Sequence, residues 1–404
     1  MKTLKKLILI FVLFFVYSYI VSIDNIPENI IIFKGEDINI ATLWGINIKS
    51  NTTLIETSSN INTGEFDKAG QETLTVSLFD KINLKTIDVS VLEDVEVIPN
   101  GEIVGIKLYT SGVLVVGTSS IEGIDGQIYK PFEGTGILEG DSIIEVNGNI
   151  VNNTFELVKN ISKSNGQEIE IKFVRNGEEK TCKITPVKNK QEEYKIGLWV
   201  RDSAGGVGTV TFYNEETKSF AGLGHAITDI DTGEIINTSS GEIDDVNIFS
   251  IIKGEKEEPG KVQGTIINGS AIGNIYKNCG FGIYGTVENL NNLNINYNRK
   301  VKVASRQEIE LGKATFLSGI DGQVKEYELE IEKIYLNNNE DNKSMLIKIT
   351  DEELLEKTGG IIQGMSGSPI IQNGKFIGAI THVFVKEPQV GYAVFGDMML
   401  NELE

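Results

Sequence analysis

Apolar positions divide the chain into blocks of different period. The first is an unbroken run from Leu7 to about Ile23, preceded by Lys2, Lys5 and Lys6. Such a run predicts a membrane helix over 1–23 whose lysines stay in the cytosol. A cleavable signal ends in small residues, whereas here Tyr17, Tyr19 and Ile20 crowd that position, so an uncleaved anchor is expected. Everything from Asp24 onward then lies outside the cytosol. From 24 to 94 the period becomes two, at Ile38 and Ile40, Ile46 and Ile48, Leu74, Val76 and Leu78, Ile82 and Leu84, and Ile87, Val89 and Val91. Alternation of this kind places one apolar face on extended strands and predicts a small β domain, a spacer or a partner-binding sandwich.

A third block covers 95–187. The run Gly112-Val113-Leu114-Val115-Val116-Gly117 predicts a strand. Then Gly136-Ile137-Leu138-Glu139-Gly140-Asp141 sets a turn before Ser142–Val146, and Asn147-Gly148 predicts a tight hairpin. Phe155, Val158 and Ile161 come next at helical spacing, Glu168–Val174 alternates, and Asn176-Gly177 precedes a last strand at Thr181–Thr185. This order resembles a PDZ domain of the bacterial type. The resemblance implies binding of an extended peptide or free C-terminus by strand addition, with a carboxylate-capturing loop at Ile103, Val104, Gly105 and Ile106. The last block, 194–404, alternates short strands with glycine turns and contains one helical run, Glu352–Lys357.

At 404 residues there is room for two or three cores, and 43 glycines against 7 prolines favour many tight turns, hence a mainly β protein. A net charge of −20 excludes nucleic acid as a natural partner. Two cysteines, Cys182 and Cys279, in different blocks exclude a disulfide framework; with two histidines, no cluster has metal-ligand spacing. Neither metal nor other cofactor is expected, and no phosphate-binding glycine loop occurs.

The chemistry concentrates in Gly364-Met365-Ser366-Gly367-Ser368-Pro369, followed by Ile370-Ile371, the hairpin Asn373-Gly374 and Phe376–Ile380. Glycines around a serine let its Oγ stand clear while neighbouring N–H groups converge on one point. A plain β-turn is the alternative. The run resembles the nucleophile region of chymotrypsin-like peptidases, which implies Ser366 as nucleophile, Gly364 and Ser366 N–H groups as oxyanion donors, and a double β-barrel. A hydroxyl needs a base. His225, in Gly222-Leu223-Gly224-His225-Ala226, precedes the serine as the chymotrypsin-like chain order requires, whereas His382 reads as a strand histidine among apolar neighbours.

The segments Ile196–Thr209, Leu223-Gly224-His225 and Thr358–Gln363, together with the serine turn, resemble the SpoIVB peptidase family of stage IV sporulation. That resemblance implies a serine endopeptidase in the space between the forespore membranes. It would cleave its own N-terminal region and a membrane regulatory protein, and so trigger intramembrane proteolysis and a late sigma factor. A catalytically inactive PDZ scaffold at the membrane is the alternative. For the third catalytic group the family position falls on Asp351, which equally suits the N-cap of the helix beginning at Glu352. Asp229 and Asp231 read better as a turn.

Overall fold

The computed structural model describes residues 2–24, 26–36, 38, 40, 42–50, 66, 68–288, 295–336 and 342–403. The leading apolar run forms helix α1 (Lys2–Asp24), on which Phe11, Phe14 and Ile20 are exposed. Among the described residues no helix is long and apolar enough to cross a membrane. Tyr19 and Ile23, near the end of α1, pack on the small domain next in the chain.

That domain is one four-stranded sheet rather than a sandwich, built from β1 (Asn29–Phe33), β2 (Ile46–Ser50), β3 (Gly70–Leu78) and β4 (Ile82–Leu92) in the order β1-β4-β3-β2. Alternation gives β3 and β4 one buried face, with Leu74 and Val76 on the one and Ile87 and Val89 on the other. Ile31, Phe33 and Leu92 leave that core and join the main core of the molecule.

Two barrels make up the rest of the scaffold. The first begins at β5 (Glu96–Pro99) and β6 (Ile103–Thr118) and resumes at β10 (Leu198–Asn214) after an insertion that contains β7 (Ser142–Val146), β8 (Ile169–Arg175) and β9 (Glu178–Ile184). It continues through β11 (Ser219–Gly222), β12 (Thr238–Ile252), β13 (Lys261–Cys279) and β14 (Gly282–Thr286). Pairing runs β6-β12-β13-β14-β11-β10, and β10 pairs back onto β6. The second is a closed barrel of β15 (Gly312–Ser318), β16 (Lys325–Ile334), β17 (Met345–Ile349), β18 (Pro369–Gln372), β19 (Lys375–Phe384) and β20 (Glu387–Phe395). Helix α4 (Gly396–Asn401) closes it, and Phe212 packs edge-on against Phe376 at 5.2 Å across the junction of the barrels.

The insertion is the PDZ-like module: β7 (Ser142–Val146), α2 (Thr154–Lys163), β8 (Ile169–Arg175) and β9 (Glu178–Ile184). Its Gly-Asp turn is held by buried Asp141, whose carboxylate accepts the Leu138 N–H at 2.8 Å and two Arg175 N–H groups at 2.7 Å. On α2 the buried residues are Leu157 and Ile161, whereas Phe155 and Val158 are exposed. The expected boundary at 95 is corrected. Lys107 to Tyr109 pair with β12 and with β10 inside the first barrel, and only Val113 onward joins the module. A 16-residue strand is long enough to serve two cores, and its apolar pattern does not change where it passes from one to the other.

Candidate active site

Two loops face each other at the junction of the barrels. The first leaves β11 and carries Leu223, Gly224 and His225. Gly224 has φ +69°, and a Cβ there would lie 2.9 Å from Thr381 Cγ2, so glycine lets this loop press against β19. Asn278 on β13 anchors the loop just past the histidine: its Oδ1 accepts the Ile227 N–H at 2.9 Å, and its Nδ2 donates to the carbonyls of Ile227 and Ile236 at 2.9 and 3.0 Å.

The second loop runs from helix α3 (Glu352–Thr358) to β18 and carries Ser366. Thr209 on β10 clamps it, donating its N–H to the Ser366 carbonyl at 3.1 Å and its hydroxyl to the Gly364 carbonyl at 2.6 Å. Among the described residues the N–H groups of Gly364 and Ser366 enter no hydrogen bond, so both stay available to an incoming oxyanion.

Between the loops lies a cavity of about 630 Å³, walled by His225, Ser366, His382, Gly364, Gln363 and Asn342 among others. The structure therefore brings together His225, Ser366 and Gly364. In this arrangement Ser366 Oγ donates to the Thr381 carbonyl at 2.9 Å, a bond that the hydroxyl gives up when it donates to an imidazole instead. His225 Nδ1 stands 2.8 Å from the Ala226 carbonyl oxygen, which can only accept. That assigns the proton to Nδ1 and leaves the Nε2 lone pair for a hydroxyl.

Burial lowers the His225 pKa below its ordinary 6.5, and the hydrogen bond to Ala226 only partly opposes it. Among the described residues no carboxylate lines the cavity, and a titratable neighbour is His382, whose ring centroid is 5.3 Å from that of His225. A base works only when neutral, so cleavage of a short peptide ester should persist as pH falls through 6.5 and disappear only below the folded pKa. An acid limb of kcat/KM above pH 6.5 would contradict this assignment.

Asp351 is not in the cavity, and its expected place beside His225 is corrected. It caps α3: Oδ1 accepts the Leu354 N–H at 2.9 Å and Oδ2 the Glu328 N–H at 3.4 Å. Asp229 does form the expected turn, accepting the N–H groups of Asp231 and Thr232 at 3.0 Å each. Burial would raise its pKa, but those two bonds and Arg201 hold it below the ordinary carboxylate value. His382 lies on a strand as expected, yet its side chain reaches the cavity. The signal was its position on the strand that returns after Asn373-Gly374, where the Gly367 N–H meets the Ile380 carbonyl at 2.7 Å.

Ile103, Val104, Gly105 and Ile106 form no carboxylate-binding loop. They are the first four residues of β6, paired with β10, and three of them are buried apolar residues of the first barrel. The groove of the PDZ-like module lies elsewhere, between Leu157, Val158 and Ile161 of α2 and Leu198, Trp199 and Val200 of β10. It measures about 510 Å³. There β10 pairs with β6 on one side, and among the described residues its other edge has no strand partner, which is the geometry for strand addition. Gly197, at φ +78°, turns the chain into this edge, and a Cβ would approach the Ser119 carbonyl oxygen to 2.6 Å.

Comparison with known proteins gives two family matches: the SpoIVB peptidase S55 model over residues 192–400 and a PDZ domain model over 120–185. Among solved structures, the PDZ domain of an SdrC-like protein from Listeria monocytogenes is 19% identical, aligning 22% of this chain with 87% of that one at a TM-score of 0.18. A protease from M. tuberculosis in its active form is 12% identical, aligning 50% of this chain with 73% of that one at a TM-score of 0.28.

Proposed function

Since the chain belongs to the SpoIVB peptidase S55 family and is a serine peptidase with a PDZ domain, we propose that it acts outside the cytosol in sporulation signalling. In this reading it cleaves its own N-terminal region and then a membrane regulatory protein, which releases intramembrane proteolysis and a late sigma factor. Its place is the space between the forespore membranes, held there by α1. The exposed Phe11, Phe14 and Ile20 of α1 support attachment to a bilayer. The groove beside Trp199 suits an extended segment of such a substrate.

Roles within the site derive from the cavity. Ser366 Oγ attacks the scissile carbonyl carbon as its proton passes to His225 Nε2. The resulting oxyanion is held by the N–H groups of Gly364 and Ser366, and His225 returns the proton to the leaving amine. Water then releases the acyl group by the same steps. The Ala226 carbonyl orients the imidazole, the duty a carboxylate performs in a Ser-His-Asp triad. The observation that carries this reading is the shared cavity of Ser366 and His225 with two unengaged N–H groups beside it.

A fluorophosphonate probe tests it. Wild-type protein should be labelled at Ser366 and Ser366→Ala should not; absence of wild-type labelling in folded protein would sink the assignment. Complementation of sporulation by Ser366→Ala would point instead to a scaffold acting through the PDZ groove alone.

A further inference from the structure

Strand β10 serves both sites in turn. Leu198 to Val200 form one wall of the PDZ groove, and Ala204 to Val207 form part of the catalytic cavity. Between them stand the adjacent residues Arg201 and Asp202, whose side chains bind different elements. Asp202 Oδ2 accepts the N–H of Thr154, the first residue of α2, at 2.8 Å. Arg201 grips the loop that begins at His225, one guanidinium nitrogen on Asp229 and the other on Asp231 Oδ2 at 2.7 Å.

This grip is built rather than incidental. The Asp229 side chain is fully buried and that of Arg201 is 31% exposed, which places the pair where solvent screens it weakly. Asp229 is also the knot of its own loop: its carboxylate ties Asp231 and Thr232, its N–H donates to the Glu234 carbonyl at 2.8 Å, and its carbonyl accepts the Gly233 N–H at 2.8 Å. The module touches the same loop a second time at Gly140, where a Cβ would stand 2.7 Å from Glu234 Oε2. The pairing of β10 with β6 is irregular between Arg201 and Ser203, so the ladder is not continuous where the two ties occur.

We propose that Arg201 is a positioning residue for His225, and that a peptide docked along β10 in the PDZ groove changes catalysis through it. This rests on the reading of the chain as a serine peptidase with a peptide-binding PDZ module. A peptide adding to Leu198–Val200 extends the strand pairing up to Arg201 and pulls on the α2 tie at Asp202. The His225 loop, held at its far side by Asn278, answers through Asp229. Because a catalytic group displaced by about 1 Å can lose about 10²-fold in rate, a small shift of this loop is enough.

The test uses the full chain in detergent, a short fluorogenic peptide ester that fills only the catalytic cavity, and a decapeptide ending in a free valine carboxylate. Trp199, exposed in the groove, reports peptide binding by fluorescence independently of turnover. Arg201→Ala is expected to lower kcat by about 10²-fold with KM nearly unchanged, and Arg201→Lys to recover part of it. The decapeptide should change wild-type kcat by about 5-fold or more and leave Arg201→Ala unmoved, while the Trp199 signal titrates alike in both. The same rate and peptide response in Arg201→Ala as in wild type would overturn the proposal. If Arg201→Ala fails to fold, Asp231→Ala removes the exposed half of the grip, and wild-type behaviour there and in Arg201→Lys overturns it equally. Failure of wild-type Ser366 to label would instead strike the serine-peptidase reading beneath it.

Discussion

Turnover by His225→Gln is expected to fall by about 10⁴-fold or more, whereas Asp351→Asn should stay within a few-fold of wild type. Glutamine fills most of the imidazole volume but cannot accept a proton from Ser366 at neutral pH. Asparagine at 351 keeps an oxygen for the Leu354 N–H and therefore keeps α3 capped. Removing the cap with Asp351→Ala costs about 0.5–2 kcal/mol, read as a lower melting temperature rather than a lost rate constant. Single-turnover labelling of Ser366 separates the two effects. A collapse of labelling in Asp351→Asn at unchanged melting temperature would return that carboxylate to the catalytic group and refute its placement as a cap alone.

Gly367→Ala should also be damaging, though less so, and for a reason of shape. Gly367 sits at φ +97°, and a Cβ would lie 2.3 Å from the Thr209 carbonyl oxygen and 2.5 Å from the Leu223 N. Both atoms are backbone of the first barrel, so neither can swing aside as a side chain would. The serine loop must retreat, which opens the Thr209 clamp and spoils the aim of two oxyanion N–H groups. A displacement of about 1 Å corresponds to about 10²-fold in the labelling rate of Ser366. Gly374→Ala is the control: its φ of +75° carries similar backbone strain, but nothing lies within 4 Å of the added methyl. It should lose about 1 kcal/mol of stability and label at the wild-type rate. Equal labelling by Gly367→Ala and wild type would show that the loop tolerates the shift.

The β character, the PDZ module, and the Ser366 and His225 motifs were all legible in the sequence because each is local. A period of two, an Asn-Gly hairpin, a glycine-flanked serine and a capping Asp351 are decided within a few residues. The features that escaped depend on pairing across long separations. Ile103–Ile106 look like a loop next to an apolar strand until β10, about a hundred residues later, covers them. Ile196-Gly197-Leu198-Trp199 stood out only through the family resemblance, and its role as a groove wall depends on where α2 lands. The apolar neighbours of His382 are the same whether a strand histidine faces a core or a cavity, and only its place on the strand returning after Asn373-Gly374 set it apart. Asp351 is the converse, a chain position that resemblance ties to chemistry and that helix geometry gives a complete local occupation.

The insertion of one module between β6 and β10 makes it a cartridge. The chain leaves the first barrel and returns to it on neighbouring strands, roughly 4.8 Å apart, so the barrel's own hairpin is geometrically complete without the module beyond it. A unit mounted this way can be lengthened, traded or lost over evolutionary time at little cost to the cleavage machinery. The peptidase thereby keeps one blade while its trigger stays open to revision, and any replacement unit inherits the same two rungs, Arg201 and Asp202, as its means of being heard.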